Sequence, residues 1–190
     1  MGLPSTQMNA SEYLAWERTQ SERHECFHGE VFAMAGGSPR HNALCAAIIG
    51  DLRAELRGGP CRVLTSDQRI IARGGEHYVY PDVSVVYGPV ELAEGTHDVL
   101  ANPWAVFEVL SRSTEPYDRG DKWASYRQIP SLSHYLLVSQ AAPRIEWFQR
   151  QSDGAWRYEV VEPGGRIALS PEISLTIDTL YDGILDLPAD

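Results

Sequence analysis

Lysine is nearly absent from this sequence: of 16 basic residues only Lys122 is a lysine, and the others are arginines. A GC-rich genome accounts for such a bias, yet a position that stays lysine points to a need for a compact ammonium that a guanidinium fork does not meet. Positive charge as a whole is scarce. Sixteen Lys and Arg face 26 Asp and Glu, a formal charge of -10. That excludes a generalised attraction to nucleic acid or anionic membrane and leaves any polyanion to a local basic patch or a metal ion. Cysteine is sparse too. Cys26, Cys45 and Cys61 are odd in number and form no CxxC pair, which argues against a disulfide framework and a Cys-rich zinc site, so they read as small buried residues. No apolar run approaches the ~18 residues of a membrane span. The polar stretch over residues 1–12 lacks the basic and apolar regions of a signal peptide, so the expected location is cytoplasmic. Repeats, low-complexity tracts and long linkers are missing as well, and the 190 residues, 43% hydrophobic and 22% charged, read as a single domain over 1–190.

Within that domain the patterning alternates between helix and strand. A helical stretch is expected over residues 11–18, then a hairpin over 25–34 turning at His28-Gly29. Ser38-Pro39 supplies an N-cap followed by proline in the first turn, and Leu44, Ile48, Leu52 and Leu56 recur every four residues up to Gly58-Gly59, which predicts a long helix. Three strand-like runs follow: 61–65 continuing toward 68–72, then 78–87 after Gly74-Gly75, then 104–111. A second helix over 117–129 stops at Pro130, strand 134–139 comes next, and 144–150 pairs with 156–162 across Asp153-Gly154. The order helix, three strands, helix, strand (α-β-β-β-α-β) with a C-terminal β-hairpin predicts an α/β fold. It is built on a mixed β-sheet flanked by helices, in which the helical crossover makes the last pairing parallel.

Two acids stand out in the strands. In Tyr80-Pro81-Asp82-Val83-Ser84-Val85-Val86 the alternation sets Asp82 and Ser84 opposite Val83 and Val85. In Trp104-Ala105-Val106-Phe107-Glu108-Val109-Leu110, Glu108 interrupts an otherwise apolar run, and a central strand does not carry an ionised group without a partner. That partner is an arginine, a neighbouring element to be capped, or a cation shared with Asp82. Two carboxylates held close together repel, and a bound Mg2+ or Mn2+ reconciles them. Lys122 follows Asp118 by one helical turn and precedes Tyr126 by another. Its two readings are an exposed i, i+4 pair with Asp118 and a fixed cation beside the two acids. A metal held by Asp82 and Glu108 would polarise a phosphodiester and acidify a water, while Lys122 orients that water or stabilises charge developing on phosphorus.

These residues resemble the PD-(D/E)xK nuclease superfamily and, within it, a putative restriction endonuclease family of bacterial proteins. The matching stretches are Gly29-Glu30-Val31, His41, Tyr80-Pro81-Asp82-Val83, Glu108-Val109-Leu110-Ser111-Arg112-Ser113-Thr114, and Asp118 through Lys122 to Tyr126. The resemblance implies a restriction-endonuclease-like core and a Mg-dependent endodeoxyribonuclease with Asp82, Glu108, Lys122 and Glu30 as catalytic residues. Asp82 and Glu108 are then the ligands of Mg2+ or Mn2+. The third position of the acid-x-lysine motif falls on Leu110, and the resemblance implies that Lys122, on the next helix, takes the place of the missing lysine. The chain also departs from the family with Arg112 after the strand-end serine, where proline is common.

Glu30 is either an auxiliary acid that holds a second metal through water or an exposed hairpin glutamate. His41 is either a phosphate contact or a surface residue. Arg112 and Arg119 flank the acids in sequence and are candidates, with His41, for binding DNA through a local positive field. His24, Cys26 and His28 mimic a ligand cluster, but strand geometry sets the outer two about 13 Å apart, too far to grip one zinc. Cutting both strands of a duplex would call for two sites and hence a homodimer. A different class of function, a non-catalytic nucleic-acid or protein binding module on the same fold, is favoured by the acidic composition and disfavoured by the intact set of two acids and a lysine.

Overall fold

The computed structural model describes residues 7–34 and 36–189; residues 1–6 of the polar opening stretch lie outside the described residues. Helix α1 (Ala10–Glu17) leads into strands β1 (His24–Phe27) and β2 (Glu30–Ala33), followed by helix α2 (Pro39–Glu55). Strands β3 (Cys61–Thr65), β4 (Arg69–Ala72), β5 (His77–Val79), β6 (Val83–Tyr87), β7 (Val99–Leu100) and β8 (Ala105–Val109) come next. A helical crossover consists of α3 (Glu115–Tyr117), a π-helical turn (Asp118–Lys122) and α4 (Trp123–Tyr126). The chain ends with β9 (His134–Val138), β10 (Ile145–Arg150), β11 (Trp156–Val161), β12 (Arg166–Ala168), β13 (Ser174–Thr176) and α5 (Ile177–Tyr181).

The helices start where the capping residues lie. At α1 the Asn9 side chain accepts from the Glu12 N–H (3.0 Å) while Glu12 accepts from the Asn9 N–H (2.8 Å), a reciprocal capping box. At α2 Ser38 Oγ accepts from the His41 N–H at 3.2 Å, and Pro39 occupies the first turn, where a missing N–H costs nothing. The hairpin of β1 and β2 turns on His28 and Gly29, both at positive φ (49° and 85°). Gly29 also lets the backbone of Met8 approach: a Cβ there would lie 2.9 Å from the Met8 carbonyl oxygen.

The main sheet has the order β11-β10-β9-β8-β6-β3, antiparallel except for β8 and β9, which the helical crossover makes parallel. Strands β8 and β9 are buried along their whole length. Side-chain alternation sends Val83, Val85, Phe107, Val109, Leu136 and Val138 toward Leu44, Ile48 and Leu52 of α2. Val106, Leu110, Tyr135 and Leu137 go to the other face, against Tyr126, Ile129 and Leu132. Glu108 shares the parity of Val106 and Leu110, so it points toward α4.

A second sheet, β2-β1-β5-β4-β7, packs its own apolar face under Tyr13 and Leu14 of α1. Its presence corrects the sequence reading in one respect: residues 61–72 and 78–87 each split into two strands that belong to different sheets. At the second split Pro81 has no N–H to donate, so the ladder of β5 stops and the chain turns into β6 with Asp82 at the junction. The expected hairpins at His28-Gly29 and Asp153-Gly154 are present, whereas β7, the small β12-β13 sheet and α5 add to the expected order. Among the described residues no helix is long and apolar enough to cross a membrane.

His134 lies in the middle of this packing. Its Nδ1 accepts from Trp147 Nε1–H at 3.1 Å, and burial, only partly offset by a hydrogen bond to the Leu169 backbone, holds its pKa down to about 4. The neutral ring is therefore a condition of folding. A histidine with a depressed folded pKa gives stability that is intact above the unfolded value near 6.5 and is lost as pH falls toward the folded value. Between pH 7.5 and pH 5 this residue should cost about 2 kcal/mol, and His134→Gln should lose that much less than wild type over the same interval in denaturant unfolding. Equal losses would show that protonation of His134 is not coupled to unfolding.

Candidate active site

Asp82 lies one residue before β6, and Glu108 lies on the adjoining β8. The antiparallel register of β6 and β8 pairs Val83 with Phe107, so the next step outward sets Asp82 opposite Glu108. Where the ladder ends, the Asp82 carboxylate itself accepts from the Val109 N–H at 2.7 Å, which fixes it at the end of the strand. From the other side His41 Nε2 lies 3.3 Å from the same oxygen, and both side chains are about 15% exposed. The ring of His41 has room because residue 37 is glycine: a Cβ there would come within 2.5 Å of Nδ1.

Glu108 is 3% exposed and Lys122 5%. The Lys122 ammonium lies 3.0 Å from Glu108 Oε1, 3.1 Å from Glu25 Oε1 and 3.5 Å from Asp118 Oδ1. Glu108 Oε1 also accepts from the Tyr126 hydroxyl at 2.9 Å, and Glu25 Oε1 from the Tyr80 N–H at 3.0 Å. Strands β1 and β8 and the π-helical turn thus converge on one ammonium. The π-helical turn buries both Asp118 and Lys122 while Arg119, Gly120 and Asp121 between them stay exposed. His77 braces the back of the cluster, with Nε2 at 2.6 Å from the Tyr117 hydroxyl and Nδ1 at 2.8 Å from Ser125 Oγ. Burial, followed by the charge of Lys122, holds His77 neutral with a pKa of about 3.

Three carboxylates around one ammonium leave a surplus of negative charge. Burial opposes the charge of Lys122, but Glu108, Glu25 and Asp118 outweigh it and hold its pKa well above the ordinary lysine range. Burial likewise pushes Glu108 well above the carboxylate range; Lys122 pulls it back, and Asp118, Asp82 and Glu25 push it further up. Asp118 is raised by the same cause, with Lys122 again opposing. One ammonium stays charged, and the acids compete for it. The groups that face a cation here are carboxylate oxygens, with the His41 imidazole beside Asp82.

The structure pairs Lys122 with Glu108 and His41 with Asp82, and brings Glu30 to neither pair. Glu30 is exposed at the start of β2, paired with Phe27 beside the turn, and the hairpin acid that reaches Lys122 is Glu25. Strand alternation carries the only signal for it: Glu25 and Phe27 share one face of β1 and His24 and Cys26 the other. Arg112 is exposed and Arg119 is taken up by Glu146 (2.6 and 2.9 Å) and Glu115 (2.8 Å). Both line a recess of about 360 Å³ with Arg40, Arg144, Ser111 and Gln140, next to the end of β8.

A crystal structure of a putative nuclease belonging to DUF820, from Anabaena variabilis ATCC 29413, superposes with a TM-score of 0.76. It covers 94% of this chain and 99% of its own at 16% identity. The architecture is therefore the mixed α/β fold of that nuclease-like structure, with sheets flanked by helices. The chain belongs to the Uma2 family, described as "Putative restriction endonuclease", whose model matches residues 10–179. Among its relatives are two proteins of Synechocystis sp. (strain ATCC 27184 / PCC 6803 / Kazusa). "Uncharacterized protein slr1290" is 36% identical over 182 residues, 95% of each chain. "Uncharacterized protein sll1609" is 34% identical over 149 residues, 78% of this chain and 84% of its own.

The charge imbalance has a consequence for stability. Lys122→Ala removes the one cation facing three buried acids and should lower the unfolding free energy by roughly 3–5 kcal/mol. Glu108→Gln keeps the side-chain shape, removes one surplus charge and should leave stability within about 1 kcal/mol of wild type or above it. Denaturant unfolding in EDTA checks both. A Glu108→Gln loss as large as that of Lys122→Ala would mean a balanced ion pair in place of a surplus.

Proposed function

We propose that this protein is a metal-dependent nuclease that hydrolyses DNA phosphodiester bonds, a Mg2+- or Mn2+-dependent endodeoxyribonuclease. The observation that carries the reading is the register that leads Asp82, one residue before β6, toward Glu108 on β8, with the Lys122 ammonium 3.0 Å from Glu108. Asp82 and Glu108 would hold the ion, which when bound supplies Lewis acidity toward a phosphodiester and a more acidic water. Lys122 is held by its three acids at a fixed point beside Glu108. There it stabilises negative charge developing on phosphorus without reorganising during the reaction. His41, in the first turn of α2 and within reach of Asp82, and Arg112, exposed beside the end of β8, would meet phosphate. Arg119 keeps a lesser role, since Glu115 and Glu146 already neutralise it. Membership of a family described as restriction endonucleases, and a fold shared with a nuclease-like crystal structure, support the same class of chemistry.

The test is cleavage of plasmid, linear duplex and single-stranded DNA with Mg2+ or Mn2+, with and without EDTA. Wild type should cut only with metal, and Asp82→Asn, Glu108→Gln and Lys122→Ala should each slow cleavage on the order of 100-fold or more per folded molecule. Lys122→Arg should rescue little, because the fork presents its donors elsewhere. Unchanged rates in the acid variants would remove the assigned site. Reproducible absence of cleavage on every substrate would favour a non-catalytic module on this fold.

A further inference from the structure

We propose that His41, Cys45 and Asp82 form a separate site for zinc and similar borderline-soft divalent ions, and that filling it draws Asp82 away from the Mg2+ site and inhibits cleavage. The inhibitory half rests on the nuclease reading, whereas the binding half stands without it. His41 and Cys45 are four residues apart on α2, so they share one helical face. Cys45 Sγ lies 3.7 Å from His41 Nδ1, and His41 Nε2 lies 3.3 Å from Asp82 Oδ2. One donor atom from each of the three residues lies within 4.8 Å of the others. Those two contacts use different nitrogens of the ring, and one ion takes one of them; tetrahedral zinc, with bonds of ~2.0–2.3 Å, keeps its nitrogen, oxygen and sulfur ligands roughly 3.3–3.8 Å apart, so closing the site asks the three donor atoms to draw in from within 4.8 Å by rotation of His41 or Cys45. All three residues are partly exposed, which leaves the fourth position to water.

Ligand chemistry separates this site from the one at Glu108. Sulfur and imidazole are poor partners for Mg2+, which takes oxygen donors, while thiolate with imidazole and one carboxylate suits Zn2+. The Cys45 thiol binds as thiolate and its proton passes to solvent. Cys26 on β1 and Cys61 on β3 are buried elsewhere, so Cys45 is the thiol that faces an imidazole and a carboxylate. One carboxylate, Asp82, is common to both sites and cannot serve two cations of different preference at once.

Co2+, a spectroscopic substitute for Zn2+, gives the test. Titrating the reduced, full-length protein with Co2+ should produce a sulfur-to-cobalt charge-transfer band and the strong visible bands of four-coordinate cobalt at one equivalent, both lost on adding Zn2+. Cys45→Ser should abolish the charge-transfer band and weaken Zn2+ binding by at least about 100-fold in equilibrium dialysis. Glu108→Gln should keep both. With Mg2+ and plasmid DNA, Zn2+ should inhibit wild type and leave the Mg2+-dependent cleavage by Cys45→Ser unaffected. No thiolate band, or a band that survives in folded Cys45→Ser, overturns the site. A band without any cleavage by wild type overturns the nuclease reading and the inhibition, and retains the zinc site.

Discussion

One ammonium faces three carboxylates in the interior of this protein, and the architecture around it follows from that demand. An ionised group at the centre of a buried strand is tolerated only with a partner. Glu108 finds Lys122 across the face of the main sheet, Glu25 comes from the hairpin of the second sheet, and Asp118 lies one turn before Lys122 on the crossover. The contact at Lys122 therefore joins both sheets and the helical connection at one point. Removing the cation would leave acids from three segments unpaired in a space that excludes water. Asp118 and Lys122, four residues apart on the π-helical turn, both point inward.

The same point explains why chemistry and fold are hard to separate here. A carboxylate that only stabilised the fold would balance its counter-ion, as Glu146 does with Arg119 in a two-pronged pair. The cluster at Lys122 does not balance. Burial, with the neighbouring acids adding to it and Lys122 opposing, raises Glu108 and Asp118, and beside them the Asp82 carboxylate is fixed by the Val109 N–H at the open end of the sheet. That carboxylate is about 15% exposed, so the buried cluster meets solvent next to Asp82.

Much of this was readable in advance wherever the signal was local. Leu44, Ile48 and Leu52 declare α2 through their spacing, and all three are fully buried. Glu108 declares itself by interrupting an apolar strand, and Lys122 by being the one lysine in the chain. Glu25 does so only through the alternation of a four-residue strand, because its contact with Lys122 exists only after the second sheet docks. Glu30 was the more visible hairpin acid because it follows a turn glycine, yet that position next to the turn is what leaves it in solvent. The change of sheet at Pro81 and the short strands β12 and β13 depend likewise on non-local pairing, which local patterning does not encode. The partnership of His41 with Cys45 was hidden in a different way, since an i, i+4 pair of these residues means nothing until Asp82 arrives from another strand.

The most direct measurement is calorimetric titration of Mn2+ into wild type, Asp82→Asn, Glu108→Gln and Cys45→Ser at fixed pH, with unfolding followed in parallel. If the surplus negative charge at Lys122 is met by a cation between Asp82 and Glu108, wild type and Cys45→Ser bind one Mn2+ alike, and both acid variants lose at least about tenfold in affinity. Equal Mn2+ affinity in all four proteins would contradict a cation site built on Asp82 and Glu108.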